Sequence, residues 1–556
     1  MPTVPKPTKI QYQWQERERL AFIHFGPNTW CGKEYDDMQF PPSQMEMSAF
    51  NPSQWCEAAI SWGAKEIIFV AKHAGGFCWW PTKTTDYNVA ATPYKNGKGD
   101  VVREVHDACI KHGLAFGLYI SPCDLNFGAF NGGGGRTSDP SKQDAYNSIF
   151  RIQLEELLSS YPDTAEIWFD GGIVAPFQDI VNKYTPHAIV FQGKELSSIR
   201  WAGNEDGLIP YPSWASLDAQ VLHTGIATAA NSDKEGNAYA PIEVNTTLYN
   251  HNWFWSKENE KKRRSLEDLM YLYYTSVGRG GNFLLNINPD NTGAVPEGDV
   301  QRYAEFGNEI ERRFGKGREL ASTKGRGSVF LLDMENECEI NHVLIMEEYQ
   351  NGENVRRFTV EAKCGNEWKT IVHEGSMIGH KVIFPFPAIK TKTVRLNVIE
   401  TAEEDAEIRF FAAYNVSGID IENLCEKLNR PTGVFNGIHQ ANLHISDEAK
   451  SGKTVEQTVD ISSCVLKAGQ YTIEFNLPPN VEMEIKQIKL ILEGQTTDTF
   501  IETMGTNKYR ITRAAGVDSN VNMSTALQLQ FSLAGKGVNM IYWGIEVQVH
   551  YMAKMI

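Results

Sequence analysis

The chain has 556 residues and a mass of 62.5 kDa, room for about three or four domains. Apolar residues make up 42% and charged residues 22%, the balance of a folded chain rather than a disordered one. With 53 Lys and Arg against 69 Asp and Glu, the net charge is −16; such a surface repels phosphate backbones and anionic lipid, which argues against nucleic-acid and membrane partners.

No apolar run approaches the roughly 20 residues that span a bilayer. Met1–Leu20 has neither the apolar core nor the small-residue cleavage site of a signal peptide, so the expectation is a cytoplasmic protein, or the trimmed mature form of an exported one. The nine cysteines are odd in number and lack C-x-x-C spacing. They read as reduced thiols rather than a disulfide framework or zinc site.

In chain order, short aliphatic and aromatic runs predict buried strands at Leu20–Phe25, Glu66–Lys72, Phe116–Ser121, Glu166–Asp170, Ala188–Gln192, Ile242–Thr247 and Phe283–Ile287. Helical periodicity lies between them at Pro52–Trp62, Val101–His112, Lys142–Ser160, Leu266–Val277 and Glu297–Phe314. This alternation predicts a parallel sheet with crossover helices. A (β/α)8-like (TIM) barrel over residues 1–320 fits, with a weak further strand near Leu217–Leu222. A doubly wound sheet is the rival, disfavoured because no G-x-G-x-x-G follows the first strand. Gly and basic residues around Lys316–Arg326 read as a linker. Short alternating strands then predict an all-β sandwich over 321–428, with runs at Ser328–Leu332, Ile340–Glu347, Arg357–Ala362, Thr393–Val398 and Arg409–Tyr414. A second sandwich is predicted over 429–556.

Asp170 closes an apolar strand and precedes Gly171 and Gly172. In a (β/α) barrel the reacting groups sit where strands end, and the glycines would let a ligand approach. On local sequence alone the same aspartate could cap a helix. Glu205 lies in Arg200-Trp-Ala-Gly-Asn-Glu-Asp-Gly207, a Gly-punctuated loop that could carry an acid over the same mouth or be a solvated turn. Two carboxyls so placed suggest glycoside hydrolysis, in which one is ionised and the other protonated. His24 and His73 follow the first two strands and could bond sugar hydroxyls or serve as structural histidines. They form no H-x-H or H-E-x-x-H arrangement, so no metal is expected. Trp79, Trp80, Trp168, Trp253 and Trp255 are either core packing or rings for a sugar's apolar face.

Taken together, Phe22–Asn28, Ala71–Pro81, Gly117–Pro122, Ile167–Gly171, Arg200–Gly207, Pro241–Trp255 and Ser276–Gly293 resemble the α-L-fucosidases of glycoside hydrolase family 29, most of all the subgroup that prefers α-1,3/1,4-linked fucose. The resemblance implies a retaining exo-acting hydrolase of fucosylated oligosaccharides or glycoconjugates that needs no metal or organic cofactor. It implies Asp170 as nucleophile and Glu205 as acid/base. Glu243 matches another acidic position of the subgroup and is the second choice. His24, His73, Trp80, Tyr119, Trp168 and Trp253 are implied in fucose binding. The family usually carries K-H-H-D-G-F after the second strand. Here Lys72-His73 is followed by Ala74-Gly75, which leaves open a larger L-sugar such as α-L-galactose, or a barrel that binds glycan without cleaving it.

Overall fold

Runs such as Ile67–Ala71 and Phe283–Leu285 are apolar at every position, and a strand made of them must be covered on both faces. The computed structural model describes residues 4–429, save 35, 37, 39 and 404, and beyond residue 436 only a set of strands. Its first strands are β1 (Arg19–Ile23), β2 (Glu66–Lys72), β3 (Ala115–Ile120), β4 (Glu166–Trp168), β5 (Ile189–Phe191), β6 (Arg200–Trp201), β7 (Ile242–Thr247) and β8 (Asn282–Ile287). They form one sheet in the order β5-β4-β3-β2-β1-β8-β7-β6, and each neighbouring pair is parallel. The order follows the chain around, β8 returns beside β1, and the ladder is open between β5 and β6. This is a nearly closed (β/α) barrel.

The crossover helices form where expected, at Pro52–Ser61, Val101–His112, Gln143–Ser160, Leu266–Thr275 and Glu297–Phe314. In Val101–His112 the Asp100 side chain accepts the Arg103 N–H, Gly113 ends the helix in a left-handed turn, and Val101, Val105, Ala108 and Cys109 bury one face. Inside the barrel, Trp14, Phe22, Ile68, Val70, Tyr119, Trp168, Phe191 and Leu284 pack as one apolar cluster.

Two expectations need correction. The stretch Leu217–Leu222 supplies no barrel strand: Ser216–Leu217 pairs antiparallel with Ala238–Tyr239, and Ala219–His223 is helix. The barrel position belongs to Arg200–Trp201, whose two paired residues are too few to show a period. Lys316–Arg326 is not simply a linker either. Ala321–Gly327 is an edge strand (β9), exposed along most of its length and therefore without apolar alternation.

Beyond β9, β10 (Val329–Glu347), β11 (Val355–Cys364), β12 (Glu367–Gly375), β13 (Val382–Thr401) and β14 (Ala406–Tyr414) complete a six-stranded antiparallel sheet. The two runs expected at Ser328–Leu332 and Ile340–Glu347 are one strand. The gap between them is a register shift from Asp333 to Cys338, and bulges bend long strands. Both ends of β10 thus feed one core, with Phe330 and Leu332 sharing a cluster with Val343, Ile345, Leu396 and Phe411.

The chain divides into two compact units. The first takes in residues 1–129, 133–136 and 141–427, and the second residues 130–132, 137–140 and 428–556. The second contains antiparallel sheets of five and four strands. Residues 430–436, where the sequence pattern changes again, lie outside the described residues.

Candidate active site

The C-terminal strand ends gather a wall of rings. His24 follows β1, His73 follows β2, Tyr119 lies near the end of β3, Trp168 ends β4, and Trp253 comes from the loop after β7. The His24 ring lies 4.8 Å from Trp253, 5.7 Å from His73 and 6.0 Å from Tyr119. Tyr119 stacks on His73 at 5.7 Å and on Trp168 at 5.4 Å. Five residues singled out in the sequence thus share one surface.

Burial keeps both imidazoles neutral. It drives His24 well below the ordinary histidine value, with the neighbouring His73 adding to the effect, and it lowers His73 to about 4. Asn286 in β8 determines which His24 nitrogen carries the proton. Its Nδ2 donates to the Trp253 carbonyl at 2.8 Å, which leaves Oδ1 to accept from His24 Nδ1 at 2.7 Å. His24 Nε2 is then an acceptor. His73 Nδ1 is buried without a hydrogen-bond partner.

Asp170 stands two residues past β4. Gly171 and Gly172 follow with φ of 75° and 77°, a left-handed turn that side chains disfavour. Gln192, just beyond β5, accepts both of their N–H groups on Oε1, at 2.8 and 3.2 Å. The Asp170 side chain meets solvent at the mouth, yet protein surrounds it. Desolvation raises its carboxyl above the ordinary aspartate value, and the Tyr119 hydroxyl, donating to Oδ2 at 2.9 Å, pulls it back.

Glu205 is half-buried in the loop after β6. Thr246 of β7 donates its hydroxyl to the Glu205 carbonyl at 2.7 Å, and Gly207 permits the close approach, since a Cβ there would lie 2.8 Å from Thr246 Cγ2. Trp253 Nε1 donates to Glu205 Oε2 at 3.0 Å. Burial pushes the Glu205 carboxyl up to about 7; the Trp253 bond opposes the rise and the negative charge of Asp170 adds to it. The two carboxyls are therefore electrostatic neighbours in one mouth, one held by a tyrosine and the other poised near neutrality.

Two further expected residues have other partners. Trp80 donates its indole N–H to Glu156, on the outer helix Gln143–Ser160, at 2.8 Å. Glu243 is fully buried in β7 and accepts the Trp168 indole N–H at 2.7 Å, so it lies behind the aromatic wall. Gln192 and Asn286 were not among the residues singled out in the sequence. Each is a polar residue near the C-terminal end of an apolar strand, a placement that singles out neither until the strands are paired. Among the described residues, no three or more His, Cys, Asp or Glu side chains are grouped to hold a metal ion.

Residues 4–313 match the family described as Alpha-L-fucosidase. Alpha-L-fucosidase 1 of Arabidopsis thaliana is 28% identical over 461 residues, 74% of this chain and 88% of the plant protein. A crystal structure of a Bacteroides thetaiotaomicron protein assigned as an α-L-fucosidase aligns with TM-score 0.68 and 31% identity, covering 74% of this chain and all of that one. A mutant glycoside hydrolase family 29 fucosidase of Ruminococcus gnavus, solved in complex with fucose, aligns with TM-score 0.64 and 25% identity, covering 75% and 96% of the two chains. A parallel barrel carrying two electrostatically coupled carboxyls beyond its strand ends, over a region that this family spans, leads to one assignment: the chain belongs to the α-L-fucosidase family of glycoside hydrolases and is an enzyme of that kind.

Proposed function

We propose that the chain is a retaining exo-α-L-fucosidase acting on terminal α-1,3/1,4-linked fucose, with Asp170 as nucleophile and Glu205 as acid/base. The observation that carries this reading is the contrast between the two neighbouring carboxyls. Asp170 accepts a hydrogen bond suited to its ionised form, whereas Glu205 holds its proton up to about 7. Asp170 attacks the anomeric carbon as Glu205 gives its proton to the departing glycan oxygen, leaving the sugar esterified to Asp170. Glu205, now ionised, takes a proton from water as that water attacks the same carbon, and Asp170 departs. Two inversions restore the α configuration. The His24 and His73 imidazoles and the faces of Tyr119, Trp168 and Trp253 form the fucose cradle in this reading. The Ruminococcus gnavus relative, bound to fucose, supports the choice of sugar. The linkage rests on the likeness of Arg200–Gly207 to the α-1,3/1,4 subgroup.

A larger sugar such as α-L-galactose would draw on room beside Ala74 and Gly75, and at Gly75 that room is taken. The Asp36 carboxylate sits where a Cβ of Gly75 would come within 2.5 Å of Oδ2, and it accepts the Tyr87 hydroxyl at 2.6 Å.

Asp170→Ala and Glu205→Ala should each lower kcat on an aryl α-L-fucoside by roughly 10²- to 10⁴-fold, with azide restoring part of the loss. NMR of the first-formed fucose should show the α anomer; initial β-fucose would overturn the retaining mechanism. For the parent enzyme, kcat/KM should fall at low pH as Asp170 takes up a proton, and above about 7 as Glu205 loses the proton it must donate. Fucosylated oligosaccharides of defined linkage decide the linkage.

A further inference from the structure

Glu205 has a charged neighbour on its own loop. Asp206 reaches the loop after β7, where its Oδ1 lies 3.1 Å from His251 Nε2. His251 and Asn250 before it both have left-handed backbones, with φ of 67° and 50°. Two consecutive non-glycine residues in that region are strained, and strain of this kind gathers where a fold is held for function. The contorted turn delivers two groups at once. It brings Trp253 round so that Nε1 bonds the Glu205 carboxyl, with the Trp253 backbone N–H held by Glu34 at 2.8 Å. It also places the partly exposed His251 imidazole beside the Asp206 carboxylate, at the rim of the same mouth.

We propose that Asp206 and His251 are a positioning pair for Glu205: their ion pair locks the Glu205 loop against the Trp253 loop, and the imidazolium charge offsets at Glu205 the repulsion from Asp170. This deepens the assignment of Glu205 as acid/base and rests on it.

The charged surroundings are consistent with that role. Glu205 is faced by Asp170, Asp206 and His251, and His251 by Asp206, Glu205 and Arg264. Arg264 is committed to β7, with Nε donating to the Thr247 carbonyl at 2.9 Å and Nη2 to the Thr246 hydroxyl at 3.2 Å. His251 is thus the ionisable imidazole of the group, set between the Asp206 and Glu205 carboxyls. The Asp206 contact, followed by the Glu205 charge, raises its pKa, while His251 in turn lowers that of Glu205. The signs then follow. Loss of the imidazolium makes Glu205 hold its proton more tightly. The alkaline limb of kcat/KM moves to higher pH, and the second step, which needs ionised Glu205, slows at neutral pH.

The test uses the full-length protein and an aryl α-L-fucoside with a poor leaving group, whose departure needs the proton. His251→Gln should move the alkaline limb up by about half a pH unit or more, and His251→Lys, which restores a positive charge, should bring it back toward the parent position. An unmoved limb in His251→Gln overturns the proposal. A second measurement needs no change at His251. The NMR titration midpoint of the His251 imidazole should fall in Glu205→Gln, because coupling between two sites is reciprocal, and an unchanged midpoint overturns the proposal even if His251→Gln fails to fold. The two readings separate cleanly. If Glu205→Gln hydrolyses the substrate like the parent, the acid/base assignment itself falls. If it is inactive while His251→Gln keeps the parent pH profile, the positioning pair alone falls.

Discussion

A carboxyl two residues past a three-residue strand has little backbone to hold it, and Gln192 supplies what the strand lacks. Its Oε1 collects the N–H groups of both glycines after Asp170, and it does so from a left-handed backbone of its own, with φ of 54°. Gln192→Gly relieves that strain while deleting the acceptor. Each stranded N–H costs on the order of 1 kcal/mol of turn stability. The expected outcome is a thermal midpoint within a few degrees of the parent and a kcat lower by about tenfold or more. An unchanged kcat would mean that the turn holds without Gln192. Asp170 could be singled out only through the likeness of Ile167–Gly171 to the family, since on local sequence alone it could equally cap a helix. Gln192 and Asn286 could not, because a polar residue at a strand end leaves no periodic trace until the strands are set side by side. Asp206 and His251 were hidden for another reason: their pairing joins two loops about 45 residues apart.

At the scale of elements, the barrel carries an unusual load in its interior. Glu66 of β2, Glu166 of β4 and Glu243 of β7 are all fully buried. Arg17 pairs with Glu66 at 2.5 Å, and the indoles of Trp14 and Trp168 donate to Glu166 and Glu243, each at 2.7 Å. One oxygen of each carboxyl is buried without a protein partner. Burial, with mutual repulsion for Glu166, raises Glu166 and Glu243 above the usual carboxylate range, and Glu166 as the protonated member can donate to Glu243. The folded state therefore keeps protons that the unfolded chain releases. Stability is fullest below the ordinary carboxylate pKa and declines as pH rises from there through the raised folded values. Glu243→Gln should flatten that decline, read as urea midpoints between about pH 5 and 8. It should also keep most activity, since an amide oxygen still receives the Trp168 N–H. Activity lost in Glu243→Gln and kept in Glu205→Gln would instead make Glu243 the acid/base. The long barrel strands and helices were readable because each repeats its period several times. β6 was not, since two paired residues make no pattern, and β9 was not, since an exposed edge strand has no buried face to alternate.

At the scale of the first compact unit, the barrel does not end at its last helix. The Tyr211 hydroxyl donates to the Met377 carbonyl at 2.6 Å and accepts the N–H groups of Ser376 and Met377, both at 3.2 Å. The buried Glu353 carboxylate takes the Ala215 N–H at 2.8 Å, and His380 lies 2.9 Å from Glu18 and 3.3 Å from Glu16. Tyr274 meets His342 at 2.8 Å. Each bond has one end in the barrel region and the other in the six-stranded sheet or the loops that connect its strands. Removal of the sheet would strand several of these groups at once, at about 1–3 kcal/mol apiece, against a total stability of only about 5–15 kcal/mol. A chain ending at residue 320 should therefore show no cooperative thermal transition and no activity. The milder variant Tyr211→Phe removes one hydroxyl that serves three bonds. It should lower stability by about 1–3 kcal/mol and leave KM for an aryl fucoside unchanged, because Tyr211 packs on Phe384 of the sheet and not on the aromatic wall. A soluble, cooperatively folding barrel from residues 1–320 would show that the sheet is an appendage. Its failure together with a destabilised but active Tyr211→Phe would show that barrel and sheet share one folding unit.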